Sequence, residues 1–362
     1  MIKFLFFILL IILSCNTNTN LSFEASSWSD SDQLFRMDPH WVGGDDAYSI
    51  PFWGKQTIWL FADTWIDPTG NHNRDTAKMI RNSIAIQDGS DPTSANLTYF
   101  WRNDSLNNPS SFFPGMGDDW YWPGHGIYVE NMLFIFLMRV RAIDTGLGFE
   151  VYDWDLVSIH NVKDHPLKWK LFWLDIPRNQ FQVIIGSASI LEIEDYIYSF
   201  NSHEGIPGHP IYITRWPLSE FIPGNLMGIE WWDRAEKSWI RQSRLNSLPE
   251  PIYVGGQTEF TVHYESKINK FLCIQTLEFG ASNLYYRMSK SLTGPWSDPI
   301  KLFEPSDKKK PNIMIYAAKA HPQLTGSDLV ITYATNTFQF TDLFSDTLIY
   351  YPRFVKVNFV YN

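Results

Sequence analysis

The sequence predicts an all-β protein, a five-bladed β-propeller, on three observations. Helical periodicity is almost absent. Short β-branched and aromatic runs bounded by Gly, Pro, Asn and Asp recur along the chain. Those runs also fall into five sets with one internal order, spaced about 60–80 residues apart, which is the signature of a radially repeated unit.

The first set is "DDAYSIPF", a turn at "WGKQ", "TIWLFADTW" and "RNSIAIQ". The second is "GHGIYVE", a turn at Asn131, "MLFIFLMRV" and "FEVYDWDLVSI". "GSASILEI", "YIYSFNS" and "HPIYITRWPL" make the third, and "QTEFTVHYE", "FLCIQTLE" and "NLYYRMSKSL" the fourth. The fifth is "KAHPQLTG", "SDLVITYATN" and "YYPRFVKVNF". Each is a strand with a small or polar start, a tight turn, an oily strand and a more amphipathic outer strand. A β-sandwich also has many short strands, but not five sets in the same order. Either the N-terminal "LFRMDPHWVGG" or the C-terminal strand is expected to close the ring.

Ahead of the blades, "MIKFLFFILLIILSC" carries one lysine, an apolar run too short to span a bilayer, and then Ser14 and Cys15. Ile12–Cys15 has the form of a bacterial lipobox, in which Cys15 is lipid-modified after cleavage. The expected organisation is a lipoprotein signal peptide over 1–14, a flexible tether over 15–27 and the propeller over 28–362. That places the protein outside the cytoplasm, anchored to a membrane through lipid alone. Of the two cysteines only Cys273 then remains, inside "KFLCIQTL". It has no partner for a disulfide and is expected to be buried and inert.

Aromatic residues make up 16% of the chain, with 16 Trp, 17 Tyr and 26 Phe, against 19% charged. Such a chain buries many rings and has aromatic faces to spare for stacking on sugar rings. The net charge of −10 argues against nucleic acid and anionic lipid surfaces as partners. A monomer is expected.

In a propeller the first strand of every blade lines the central axis, and its start rings one mouth of the channel. Those starts carry Asp45, His125, Ser187, Glu259 and His321; the ends of the second strands carry Asp63, Arg139, Asn201, Glu278 and Asn336. Charges gather there because a wet funnel solvates them and blade interiors do not. Paired carboxylates in such a pocket are the machinery of glycosidic cleavage, one protonated to serve the leaving oxygen and one ionised. Asp45 and Asp63 sit on adjacent antiparallel strands, where each raises the other's pKa. Glu259 is a third candidate, from across the channel. Asp45 and Asp63 are also residues that cap turns.

The segments "GGDDAYSIP…TIWLFADTW…RNSIAIQ", "WPGHG", "TEFTVHY", "SLTGPWSDP" and "LVITYATNTF…YYPRFVKV" resemble secreted five-bladed propellers of the furanosidase superfamily. The likeness runs from about Trp41 to Val357 and is greatest to a domain-of-unknown-function group that includes endo-D-arabinanases. It implies catalytic acids at Asp45 and Asp63. The residue after the first aspartate is usually glycine in that group but here is Asp46, which leaves open which of the pair functions. His125 stands where an aspartate is expected, and Ala62 where glycine is more familiar. The resemblance implies a glycoside hydrolase acting on a furanose-containing (arabinan-like) or related polysaccharide, with Glu259 auxiliary. The alternative is a non-catalytic glycan-binding propeller lipoprotein of the cell envelope.

Around these acids, Asp46, Arg81, Asn82, His125, His321, Asn336 and Arg353 are expected either to bond sugar hydroxyls or to knit blades together. Trp122, in "DDWYWPGHG", either stacks on sugar or plugs the gap between blades. No HExxH or similar spacing supports a catalytic metal; a structural calcium or sodium ion in the channel is the only cofactor left open. No phosphate-binding loop, GxGxxG or GxSxG pattern occurs, so nucleotide and serine-hydrolase chemistry have no anchor.

Overall fold

Five antiparallel sheets are arranged around one axis in the computed structural model, which describes residues 21–361 apart from Glu278. From the axis outward, the first blade is Trp41–Pro51, Gln56–Ile66, Ser83–Asp88 and Asn96–Phe100. The second is Trp120–Val129, Met132–Ala142, Phe149–Ile159 and the short Phe172–Trp173. The third has five strands: Val183–Ile193, Tyr196–His203, Ile211–Pro217, Glu230–Asp233 and Ser238–Arg241. Thr261–Glu265, Lys270–Gln275, Leu284–Ser289 and Ile300–Phe303 form the fourth. The fifth consists of Ile313–Ala320, Leu329–Thr337 and Arg353–Tyr361, with Leu21–Ser27 as its outermost strand. Neighbouring innermost strands touch all the way round, the fifth against the first. The fold is the five-bladed propeller expected.

Local chemistry explains the blades. The second strands are near-continuous apolar runs because both of their faces are covered, and Leu133 through Leu137 are wholly buried. Two-residue hairpins join the first and second strands of the second and third blades. Val129 pairs with Met132 across Glu130–Asn131, both with positive φ, as a two-residue turn matching the strand twist requires. The core is a set of slabs between blades: Ile50, Leu60 and Ile84 of the first pack with Leu133, Ile135 and Leu137 of the second.

Ring closure differs from expectation. Residues 21–27, placed in the tether by sequence, form a strand in register with the last one, Leu21 opposite Tyr361 through Ser27 opposite Val355. The C-terminal strand therefore lies inside its blade, and an N-terminal strand completes the sheet. "LFRMDPHWVGG" does not do so: its last four residues open the first blade's innermost strand, and Phe35 packs between Trp59 of the first blade and Phe354 of the fifth, with centroids 5.1 Å from each. The signal peptide, Cys15, the rest of the tether and Glu278 lie outside the described residues.

Four of the five innermost strands start earlier than expected and slip in register, while the fourth, Thr261–Glu265, starts later and pairs without a slip. The first runs from Trp41, with irregular pairing between Gly44 and Tyr48, where Asp46 and Ala47 adopt φ of 71° and 60°. In the fifth blade the inner strand is Ile313–Ala320 rather than "KAHPQLTG", and it slips between Tyr316 and Lys319 around Ala317, φ 52°. The third slips between Ile184 and Ser189, where Gly186 has φ 76° and a Cβ would lie 2.2 Å from the Phe136 ring. Such slips re-aim side chains beside functional sites. Positive φ at alanine is a strained conformation that only the surrounding structure can hold.

Cys273 is free and fully buried, and burial pushes its thiol up to about 12. It is inert. No helix among the described residues is long and apolar enough to cross a membrane.

Candidate active site

One mouth of the channel opens into a funnel of about 760 Å³ lined from all five blades. Asp45, Asp63 and Glu259 all line it. The slip after Gly44 separates the consecutive aspartates: Asp45 faces the funnel, whereas Asp46 turns into the channel and is buried.

Two tyrosine hydroxyls donate to Oδ2 of Asp45, Tyr316 at 2.5 Å and Tyr350 at 3.2 Å. Its Oδ1 is buried with no partner. Burial first, then the Asp63 charge, push Asp45 up to about 8, against the pull of Tyr316; Glu259 adds to the rise. The direction of this shift favours the protonated form of Asp45.

Asp63 has a different setting. Trp122 donates its indole N–H to Oδ1 at 2.9 Å, and the Arg81 guanidinium lies 3.2 Å from Oδ2. Burial raises its pKa, and Arg81 and Trp122 oppose that rise. Arg81 is itself seated 4.2 Å over the Trp120 ring. Two neighbouring carboxylates thus have opposite surroundings, one facing hydroxyls and one facing a cation.

Beneath Glu259 lies Lys319, fully buried. Its ammonium is 3.1 Å from Glu259 Oε2, 2.6 Å from Asp46 Oδ1 and 4.1 Å above the Tyr48 ring. No group of three or more His, Cys, Asp or Glu placed to hold a metal ion occurs among the described residues.

A fourth carboxylate lines the funnel, Glu204, which accepts from Ser202 Oγ at 2.6 Å and Thr258 Oγ1 at 2.8 Å and faces His209 Nδ1 at 3.5 Å. Burial alone would raise Glu204, but His209, Ser202 and Thr258 outweigh it and hold it low. Glu204 in turn raises His209.

Several expected substrate contacts are elsewhere. His125 accepts from the Ile190 N–H at 2.9 Å and donates to the Ser49 carbonyl at 3.3 Å, tying three blades together; burial pulls it down to about 4. His321 is fully buried between Ser49 Oγ and Thr332 Oγ1. Both histidines sit deeper than predicted because the inner strands begin several residues earlier. Asn82 is buried and holds Phe113 and Tyr121 backbone through three hydrogen bonds. Arg353 braces Asp32 and the Leu348 carbonyl. Arg139 pairs with Asp155, and Asn201 accepts from the Gly186 N–H. Asp46 serves Lys319. Trp122 and Asn336 do line the funnel, and Arg81 reaches it through Asp63.

The sequence reading missed Tyr316, Tyr350, Lys319, Glu204 and His209. One signal was available: a lysine inside "IYAAKAH" interrupts an otherwise small and apolar strand, and lysine is almost never fully buried unless paired. Glu204 directly follows the second strand of its blade, and Asp63 lies in the last third of the second strand of the first.

Fold and site together define a class, the five-bladed propeller with a carboxylate-lined axial funnel. The chain belongs to the DUF5005 family, described as a domain of unknown function, whose profile matches residues 29–359. Among solved structures, a presumed hydrolase from Bacteroides ovatus ATCC 8483 superposes with a TM-score of 0.73 at 20% identity, over 92% of this chain and 90% of that one. More distant are a thermostable family-43 glycoside hydrolase (TM-score 0.46, 14% identity, 88% and 90% covered) and an α-L-arabinofuranosidase from Podospora anserina (0.48, 9%, 88% and 92%). No protein of curated function matches.

Proposed function

We propose that the protein is a glycoside hydrolase acting on a furanose-containing, arabinan-like or related polysaccharide. The observation that carries this is the contrast between Asp45 and Asp63 in one funnel. Asp45, raised to about 8, is the acid: it gives its proton to the glycosidic oxygen as the bond to the anomeric carbon breaks. Asp63, facing Arg81 and Trp122, is the ionised partner. It takes the proton of the attacking water or attacks the anomeric carbon itself, and the anomer first released, read by NMR, distinguishes the two. Glu259 is an auxiliary group held by Lys319.

The test is new reducing ends from arabinan, arabinoxylan and arabinogalactan, with Asp45→Asn and Asp63→Asn as controls. Variants as active as the parent end the assignment. Calorimetric binding without new reducing ends makes the protein a glycan-binding module instead.

We also propose that Cys15 is lipidated and tethers an exported protein. Six residues from Cys15 to Leu21 span at most ~20 Å, so the propeller would sit close to the membrane. Loss of palmitate labelling in Cys15→Ala is the expected result.

A further inference from the structure

Three phenylalanines lie largely in water, where an apolar ring is costly to leave. Phe279 is 74% exposed, Phe338 52% and Phe340 56%. Single exposed apolar residues are ordinary; a contiguous group at the rim of a site is not. Phe279 and Phe338 touch, with ring centroids 5.5 Å apart, and Phe279 also lines the funnel. Backbone hydrogen bonds tie both segments to the start of the fifth blade's inner strand and the residue before it. Gly280 O accepts from Ile315 N at 2.8 Å, and Phe338 N donates to Asn312 O at 2.8 Å. Phe338 follows two residues after Asn336, which lines the funnel and reaches the Tyr316 hydroxyl that bonds Asp45.

We propose that Phe279 and Phe338 form a stacking shelf that binds the stretch of glycan chain continuing out of the funnel. This rests on the glycan-cleaving function proposed above and adds that the substrate is a chain rather than a single terminal sugar. Phenylalanine rings have no hydrogen-bonding group, so they grip the C–H faces of sugars without reading hydroxyl patterns. The shelf therefore sets preference for length, and the funnel sets sugar identity. Two other occupants fit poorly. The segment "FQFTDLFSDTL" over 338–348 has two aspartates and no lysine or arginine, unlike a surface that lies on anionic lipid. Three partly exposed rings of ~150–250 Å² each fall short of the ~800 Å² per partner of a stable protein interface.

The test compares the parent protein with Phe279→Ala/Phe338→Ala on debranched arabinan, on arabino-oligosaccharides of increasing length and on p-nitrophenyl arabinofuranoside. The shelf predicts that kcat/KM on long chains falls roughly tenfold, through KM, a loss of the size aromatic stacking supplies. Activity on the aryl glycoside falls far less than activity on long chains, and Phe279→Tyr/Phe338→Tyr restores the long-chain value. If the parent cleaves chains and the alanine variant keeps the same length dependence, the shelf is refuted and the hydrolase assignment stands. If the parent neither binds nor cleaves any of these glycans, both fall. Self-association, or sedimentation with phosphatidylglycerol vesicles, that the alanine pair abolishes assigns the rings to a protein or lipid partner and overturns the proposal.

Discussion

The ammonium of Lys319 lies 2.6 Å from the carboxylate of Asp46, and both side chains are wholly inaccessible to solvent. Glu259 shares the same ammonium from the funnel side, so one cation serves two acids. Burial and the nearby Glu259 charge raise Asp46, against the pull of Lys319. Removing the cation leaves two carboxylates facing each other in a low-dielectric channel. Lys319→Met should therefore lower stability by ~3–5 kcal/mol, the usual consequence of orphaning a buried ion-pair partner. Asp46→Asn in the same background should recover part of that loss. Urea denaturation of the two variants checks both statements, and an unchanged midpoint for Lys319→Met contradicts them.

Asp45 links stability to pH with a definite sign. Its pKa is about 8 in the folded protein against an ordinary 3.8. Between those values the unfolded chain has lost the proton and the folded one keeps it, so the contribution of Asp45 is present below 3.8 and declines as pH rises through about 8. Asp45→Asn should flatten the stability profile over that interval and make the protein more stable at pH 8 than the parent. The same substitution should reduce hydrolysis by ~10²–10⁴-fold, since the proton donor is gone. In the parent, activity should fall above pH 8. Thermal melts and initial rates across the pH range test both halves.

Trp122 donates to Asp63 and so favours its ionised form. Trp122→Phe keeps an aromatic ring and deletes the N–H. Asp63 should then titrate higher, and the low-pH limb of the rate profile should move up while the high-pH limb set by Asp45 stays in place. A profile in which both limbs move together would assign Trp122 to packing alone.

The blades were readable from sequence because their strands are uninterrupted apolar runs between turn residues, as with "MLFIFLMRV". Asp45 and Asp63 were readable because charge is scarce in such runs. Depth along the axis was not. Strict alternation places Asp45 and Asp46 on opposite faces but says nothing of a slip, and only the left-handed Asp46 and Ala47 send one aspartate to the funnel and the other to Lys319. His125 and His321 were misplaced for the same reason, since an inner strand that starts earlier moves each residue down the channel. The tyrosines that bond Asp45 come from positions 316 and 350, brought beside residue 45 only when the ring closes. Local patterns carry no record of that.

Asn82 illustrates how a polar residue near the mouth can be purely architectural. It is fully buried, donates to the Phe113 and Tyr121 carbonyls at 3.0 and 2.9 Å, and accepts from Phe113 N at 2.7 Å. Asn82→Ala strands three backbone groups away from water, each worth ~1–3 kcal/mol when left unpaired. The variant should melt well below the parent, yet show parental KM at a temperature where it remains folded. A raised KM there would return Asn82 to the substrate.

The strand Leu21–Ser27 carries the last prediction. It pairs with the C-terminal strand from Val355 to Tyr361, and Phe23 packs edge-on against Tyr286 of the fourth blade at 4.9 Å and beside Phe359 at 5.0 Å. Without it the C-terminal strand becomes an open edge, and the Phe359 ring loses its cover. An exposed edge of this kind pairs with other chains. A chain beginning at Trp28 should therefore melt lower, by ~2–4 °C for each kcal/mol lost, and should form oligomers on size-exclusion chromatography. Adding the peptide LSFEASS in excess should restore the monomer by refilling the edge. The funnel lies at the axis, away from this outer strand, so residual monomer should keep its catalytic rate. A truncated chain that stays monomeric at the parental melting temperature would mean that the first blade and the Phe35–Phe354 stack alone hold the ring shut.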